Sequence, residues 1–249
     1  MVILASRSFV AIRPTTYESQ KERDYLLGLF KGRSGQMENS TFALLKSDGK
    51  TPLSQISRGP ERVFGSAERM AEAMRLITAN QPPLTKPPGL KTSPALSSLR
   101  LAINVAACDN LPLVVLGPEA GPEFEKALTE MFFDSSWQGR FVLVQGTATE
   151  MDKLLHLKGK AVPAVAVIQA DQFGLSGRIL ARLEPGENGD KLTSTLAMGA
   201  AGFQATARNF RGHLTSGFEA EAFWETAIPV TDQQESRARS RHPSSKKTP

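Results

Sequence analysis

A chain of 249 residues, 40% apolar and 22% charged, can bury one large or two modest cores, which excludes a low-complexity or fibrous class. Of its formal charge of +5, +3 lies after Val230, where five basic and two acidic residues fall, so the body is near neutral and does not suggest a specific nucleic-acid groove. The single cysteine, Cys108, excludes an intramolecular disulfide, and no Cys/His cluster has zinc-site spacing, so no metal or other cofactor is expected. Taken in chain order, "RSFVAI" (7–12) is expected to be a strand. "STFALLKSDGKTPLSQISRG" (40–59) is expected to be two strands around an Asp48/Gly49 turn. "SAERMAEAMRLI" follows as a helix, with Ser66 at its N-cap and Met70, Met74 and Ile77 on one face.

A proline-rich stretch, "NQPPLTKPPGLKTSPA" (80–95), then interrupts the periodic segments. Proline lacks an N–H and disfavours helix in the residue before it, so this segment is expected to be an extended linker. Beyond the apolar helical stretch "LAINVAA", "LPLVVLG" (111–117) reads as a buried strand ended by Gly and Pro. A helix over 122–137 carries Phe124, Leu128, Met131 and Phe132 on one stripe. Pro122 suits its first position, and Glu123 and Glu125 suit the positive end of its dipole. "RFVLVQG" is a second buried strand and "TEMDKLLHL" a short helix. "PAVAVIQ" and "GRILARLEP" are strands joined by "ADQFGLSG", and "DKLTSTLAM" is a closing helix. The second half is therefore β-α-β-α-β-β-α, and the first half supplies β-α-β-β-α.

The halves also match in detail. "RSFVAI" parallels "GRFVLV" (139–144), and 40–59 parallels 163–186, with Asp48 and Asp171 each eight residues past Ser40 and Pro163. On these elements, and on "AVPAVAVI" with a proline ahead of its third strand, the chain resembles the thioredoxin superfamily twice, over about residues 1–79 and 96–200. The resemblance implies an α/β fold of two thioredoxin-like modules, each a mixed sheet flanked by helices, the first lacking its opening strand and helix. The domains expected are an incomplete module (1–79), a linker (80–95), a module with a C-terminal extension (96–230), and a disordered basic tail (231–249).

In the superfamily the proline at this place is usually cis and lets the preceding backbone pair with an extended substrate. The resemblance therefore marks Val162 and Pro163 as a peptide-binding candidate. Pro163 sits at a strand entrance, where its missing donor costs no ladder bond. Family enzymes carry Cys-x-x-Cys between the first strand and helix, where the helix N-terminus favours thiolate. Here that position reads "VVLGPEAGPEFEK", and Cys108 precedes the strand instead. In the first half Ser40 replaces the proline. The chain also resembles uncharacterised bacterial tandem thioredoxin-like proteins without Cys-x-x-Cys. The resemblance implies a redox-inactive, non-catalytic protein that binds a protein or peptide. The alternative is a fragment of a thiol-disulfide oxidoreductase whose Cys-x-x-Cys lies upstream of Met1.

Other candidates have plainer readings. Cys108 reads as a small buried hydrophobe or as a regulatory thiol. "GPEAGPEFEK" lacks the Lys-Ser/Thr of a phosphate loop and its three glutamates repel anions. Lys31 and Arg33 in "GLFKGRSG" suggest an anion contact or a solvated loop. Asn39-Ser40-Thr41 matches a glycosylation triplet, His156 and His213 have no Asp or Ser partner at a placeable spacing, and His242 lies in the tail. Phe218, Phe223, Trp224 and Ile228 either pack back on the second module or recruit a partner. The tail "RARSRHPSSKK" either solubilises the chain or touches acidic lipid or nucleic acid. No apolar stretch approaches the roughly 18 residues of a membrane span. "MVILASRSFV" is no full export signal, which points to the cytoplasm as written, or to the periplasm or secretion if a longer natural N-terminus exists.

Overall fold

Short polar side chains set the helix starts of this chain, because they take up backbone N–H groups that a first turn leaves without partners. The computed structural model describes residues 1–32, 35, 37, 41–81, 94–96, 98–134, 136–137, 139–207, 209–224 and 226–229. Two compact units emerge: Met1–Lys86 with Glu225–Pro249, and Pro87–Trp224. The tail 231–249 and most of the 80–95 segment lie outside the described residues.

The first unit holds α1 (Val2–Ser6), α2 (Gln20–Leu29), α3 (Glu61–Phe64) and α4 (Ala67–Ala79). Ser19 accepts from the Glu22 N–H at the start of α2, and Ser66 accepts from the Arg69 N–H at the start of α4, as expected for Ser66. Ala71 and Met74 of α4 are buried with Ala5 and Leu44 in a small core, against which Phe42, Phe64, Met70 and Ile77 pack.

The expected strand at 7–12 is not formed. The chain leaves α1 in a turn, with the Phe9 N–H donating to the Ser6 carbonyl at 2.9 Å, and Val10 stays 89% exposed. A strand needs a neighbour for its backbone groups and a layer for its apolar face; among the described residues no strand pairs with 7–12, and of its apolar residues only Phe9 packs on the small core. The 40–59 segment does fold back on itself, but its described part makes only two isolated antiparallel bridges, Phe42 with Ser57 and Leu45 with Pro52. Its turn is held by Asp48, whose carboxylate accepts from Lys50 N–H (2.8 Å), Thr51 N–H (2.9 Å) and the Thr51 hydroxyl (2.6 Å).

The second unit begins with α5 (Leu99–Asp109), followed by β1 (Leu113–Leu116), α6 (Pro122–Phe133), β2 (Val142–Gln145) and α7 (Ala148–Leu154). β3 (Val165–Ala170) and β4 (Gly177–Leu183) come next, then a 3-10 turn, α8 (Leu192–Gly202) and α9 (Phe210–Glu219). From β1 to α8 this is the β-α-β-α-β-β-α order expected from the sequence. The sheet order is β2-β1-β3-β4, with β1 and β2 parallel through α6 and both remaining pairs antiparallel. The fold is thus α/β, a four-stranded mixed sheet flanked by helices.

Both sheet faces are covered, and this is why the strands read as unbroken apolar runs rather than alternating ones. Leu113, Val115, Val144 and Ile168 face Leu99, Ile103 and Ala106 of α5 and Met151 of α7. Val114, Leu143, Val165 and Val167 face Phe124 and Leu128 of α6 and Leu192 and Leu196 of α8. The α8 backbone lies so near β3 that a methyl group on Gly199 would overlap Val167.

α6 ends at Phe133 rather than 137, where Asp134 turns outward and takes the Ser136 N–H at 2.8 Å. α7 starts in a reciprocal cap between Thr147 and Glu150. It stops at Leu154 rather than 157, because His156 and Lys158 adopt left-handed backbone (φ 55° and 54°). The β3–β4 register shifts between Val167 and Ile168, leaving Leu180 as an extra residue in β4.

Candidate functional site

The segment singled out in the sequence leads into β3 beside the end of β1. Pro163 is buried and Val162 half-buried against the α5 side of the core. The Val162–Pro163 bond is trans, not the cis form that the family resemblance implies. Ala164 is tied on both sides: its N–H donates to the Leu183 carbonyl at 2.9 Å, and its carbonyl accepts from the Gly117 N–H at 2.8 Å. A ladder donor is first needed at Ala164, so the ring nitrogen of Pro163 forfeits nothing.

The residues just ahead of Ala164 lack such ties: Ala161 and the Pro163 carbonyl make no hydrogen bond among the described residues, and Val162 is like them. Its N–H and carbonyl make no hydrogen bond among the described residues. Three residues ahead of β3, the chain thus presents a peptide unit with both polar groups available.

The turn facing Pro163 is tight. A methyl group on Gly117 would overlap the Pro163 carbonyl oxygen, and the Glu123 carboxylate folds back over Gly121 at the start of α6. The cavity at this end of the sheet, between Leu116, Glu125 and Leu143, measures about 10 Å³, room for about one water. The 117–121 turn contains no thiol.

Cys108 is exposed, which corrects its reading as a buried hydrophobe. Leu99, Ala102, Ile103, Ala106 and Ala107 are buried along α5, so Asn104 and Cys108, four residues apart, share the outward face. Cys108 also lies in the last turn of α5, away from any helix start. Among the described residues no group of three His, Cys, Asp or Glu side chains is placed to hold a metal. No helix among them is long and apolar enough to cross a membrane.

The remaining candidates scatter. The His213 and Phe173 rings lie 5.4 Å apart, and the Arg100 guanidinium sits 4.6 Å above the Trp224 ring, which places both partners of each pair in structural contacts. Phe218 and Phe223 are half-buried. Ile228 belongs to the first unit, where its N–H donates to the Tyr17 carbonyl at 2.9 Å. Arg33, Asn39, Ser40 and His242 lie outside the described residues.

Carboxylates held below their ordinary range are structural. Asp48 is lowered to about 2 by the Thr51 hydroxyl, then by the Thr51 and Lys50 N–H groups. Glu68 is lowered by its own backbone N–H and the Ser66 hydroxyl, Asp134 by Ser136, and Glu187 by Lys191. None borders Val162–Pro163.

A second feature escaped sequence reasoning: an open groove of about 370 Å³ on the α5 side of β4. His156, Lys160, Arg178 and Arg182 line it, with Leu157 and Ile179 beneath. The extra residue Leu180 resets the strand alternation, so Arg182 falls opposite Ala181 and Leu183, both of which face the α6–α8 core. The loop and the strand are too far apart in the sequence for the cluster to show as a motif.

Comparison with protein-family models, with curated proteins and with solved structures finds no match to this chain.

Proposed function

We propose that this chain is a redox-inactive, thioredoxin-like protein that docks an extended protein or peptide segment at Val162–Pro163. The observation that carries this reading is the unpaired peptide unit of Val162, held at a strand entrance by the bonds of Ala164 on either side. Main-chain groups of this kind pair with an incoming extended chain, whose side chains supply selectivity. Two further features support it. The β2-β1-β3-β4 order with one parallel pair fits a thioredoxin-like second unit. The turn between β1 and α6, "GPEAG", offers no nucleophile, so the role is binding rather than electron exchange.

The test is a peptide selection. A random peptide library panned on the full chain should yield extended segments that perturb backbone amide resonances of 160–164. Val162→Pro removes the N–H and should weaken those peptides roughly tenfold with the melting temperature retained. Selected peptides that perturb only other regions, or bind the folded Val162→Pro protein equally well, overturn the reading.

A further inference from the structure

The last helix of the second unit, α9, carries an inference separate from Val162. Asn209 starts it by accepting the Gly212 N–H at 2.7 Å, yet none of its ten residues is buried. It rests on the turn between β3 and β4: the His213 ring lies 5.4 Å from that of Phe173, and a methyl group on Gly217 would touch the same ring at 3.5 Å. The strap leading into it is pinned as well. The Gln169 amide donates to the Gln204 carbonyl at 2.9 Å, and the Asn110 side chain accepts the Thr206 N–H at 3.0 Å. α9 is therefore formed and held before any partner arrives, so docking through it costs no helix nucleation.

The flank beside this contact is apolar and open. Phe210 is 78% exposed and Leu214 42% exposed, and their four-residue spacing stacks them in one ridge. Arg211, three residues before Leu214, is exposed next to the ridge, and Leu175 is exposed in the turn that holds Phe173. From Leu192 to Phe218 the sequence has no aspartate or glutamate, and its charged residues are Arg208 and Arg211. Three carboxylates stand near this stretch. Asp171 is taken up by the Phe173 and Ser176 N–H groups and the Ser176 hydroxyl. Glu219 falls on the opposite side of the helix from Phe210. Asp109 adjoins Asn110 at the far end of the strap.

A preformed apolar ridge with a cation beside it complements an anionic bilayer, whose acyl boundary takes the apolar side chains while its headgroups take the guanidinium. The tail after Val230 adds five basic residues against two acidic ones, and reversible membrane binding requires such a second, electrostatic contribution. We propose that α9 docks this protein on an anionic membrane surface. The helix lies in the headgroup plane, with Phe210 and Leu214 toward the acyl chains, Leu175 at the margin and Arg211 among the phosphates. No spanning helix is needed.

The experiment sediments the full chain with vesicles of phosphatidylglycerol and phosphatidylcholine in equal parts, or of phosphatidylcholine alone. The chain should pellet with the mixed vesicles and about tenfold less with phosphatidylcholine. Phe210→Ser with Leu214→Ser should weaken binding to the mixed vesicles about tenfold or more, and Arg211→Gln roughly fivefold. Val10→Ser with Ile12→Ser, which removes exposed apolar side chains from the first unit, should leave it unchanged. Phe210→Trp supplies a second reading if the double variant fails to fold: on the mixed vesicles its added emission should move to shorter wavelength and be quenched by brominated acyl chains. The inference is overturned if the mixed vesicles do not bind, if phosphatidylcholine binds as well, or if the added tryptophan is not quenched. It is also overturned if the folded ridge variant pellets like the parent, which would leave the contact to the basic tail. A dimer or a protein complex formed through the ridge without vesicle binding overturns it too. Peptide docking at Val162 stands or falls separately, because it is read from 160–164 and none of these substitutions should alter it.

Discussion

The carbonyl of Pro163 is pressed against the α-carbon of Gly117, leaving no space for a side chain between the end of β1 and the entrance of β3. The Gly117 N–H closes the same junction by donating to the Ala164 carbonyl at 2.8 Å. Gly117→Ala must push apart two backbone segments rather than a flexible side chain. It should cost about 1–3 kcal/mol in urea unfolding, whereas Gly189→Ala, with open space around its α-carbon, should change stability by less than about 0.5 kcal/mol. Equal effects would show that the junction is looser than described.

The contact of Gly199 with Val167 opposes helix propensity. Alanine is favoured over glycine inside a helix by about 1 kcal/mol, yet a methyl group here would come within 2.8 Å of Val167 Cγ2 and nearer still to its other carbons. Gly199→Ala should therefore destabilise. Val167→Ala should absorb part of the loss, so the double variant should be more stable than the sum of the single effects by about 0.5 kcal/mol or more. Simple additivity would contradict the packing of α8 on β3.

Asp48 gives a pH signature. Its carboxyl stands at about 2 against an ordinary 3.8, lowered first by the Thr51 hydroxyl. A lowered folded value means that the charged form favours folding. Its contribution is present above about pH 3.8 and is lost as pH falls toward 2. A carboxyl-carbon NMR titration should find Asp48 as a low outlier, and Thr51→Val should move it up toward the ordinary value. An ordinary value in the parent chain would mean that the turn is not held as described.

Cys108 should behave as an accessible thiol without redox partners. One equivalent should react with an aromatic disulfide reagent in the native protein, without denaturant, because the side chain is exposed. The same chain should not accelerate dithiol-driven insulin reduction. Turnover that vanishes in Cys108→Ser would place this thiol in chemistry that its position in the last turn of α5 does not provide.

The second unit was largely legible in the sequence, because burial of both sheet faces turns strands into continuous apolar runs such as "LVVL" and "VAVI", each closed by glycine, proline or aspartate. Turn chemistry was legible in both halves. Asp171 accepts from Phe173 N–H at 2.7 Å and from the Ser176 hydroxyl at 2.7 Å, much as Asp48 does from Lys50 and Thr51. What failed depended on neighbours that no local pattern reveals. "RSFVAI" has strand composition but, among the described residues, no strand beside it. Cys108 sits in an apolar run, yet the helical period turns it outward. Val162 and Pro163 were singled out by the family resemblance, whereas the bonds of Ala164 to β1 and β4 could not be read from the sequence. His156, Lys160 and Arg182 come together only through the loop after α7 and the extra residue in β4, while Arg178 turns to the other face with Gln169.

That extra residue has a further consequence. β4 is the outer strand of its sheet, and such a strand offers a template on which another copy could continue the ladder. The irregularity at Leu180 spoils the straight run of donors and acceptors, and stacking copies edge to edge would bring the Arg178 and Arg182 cations of adjoining molecules together. The arginines of this outer strand, one on each face, thus guard the border against fibrous self-association.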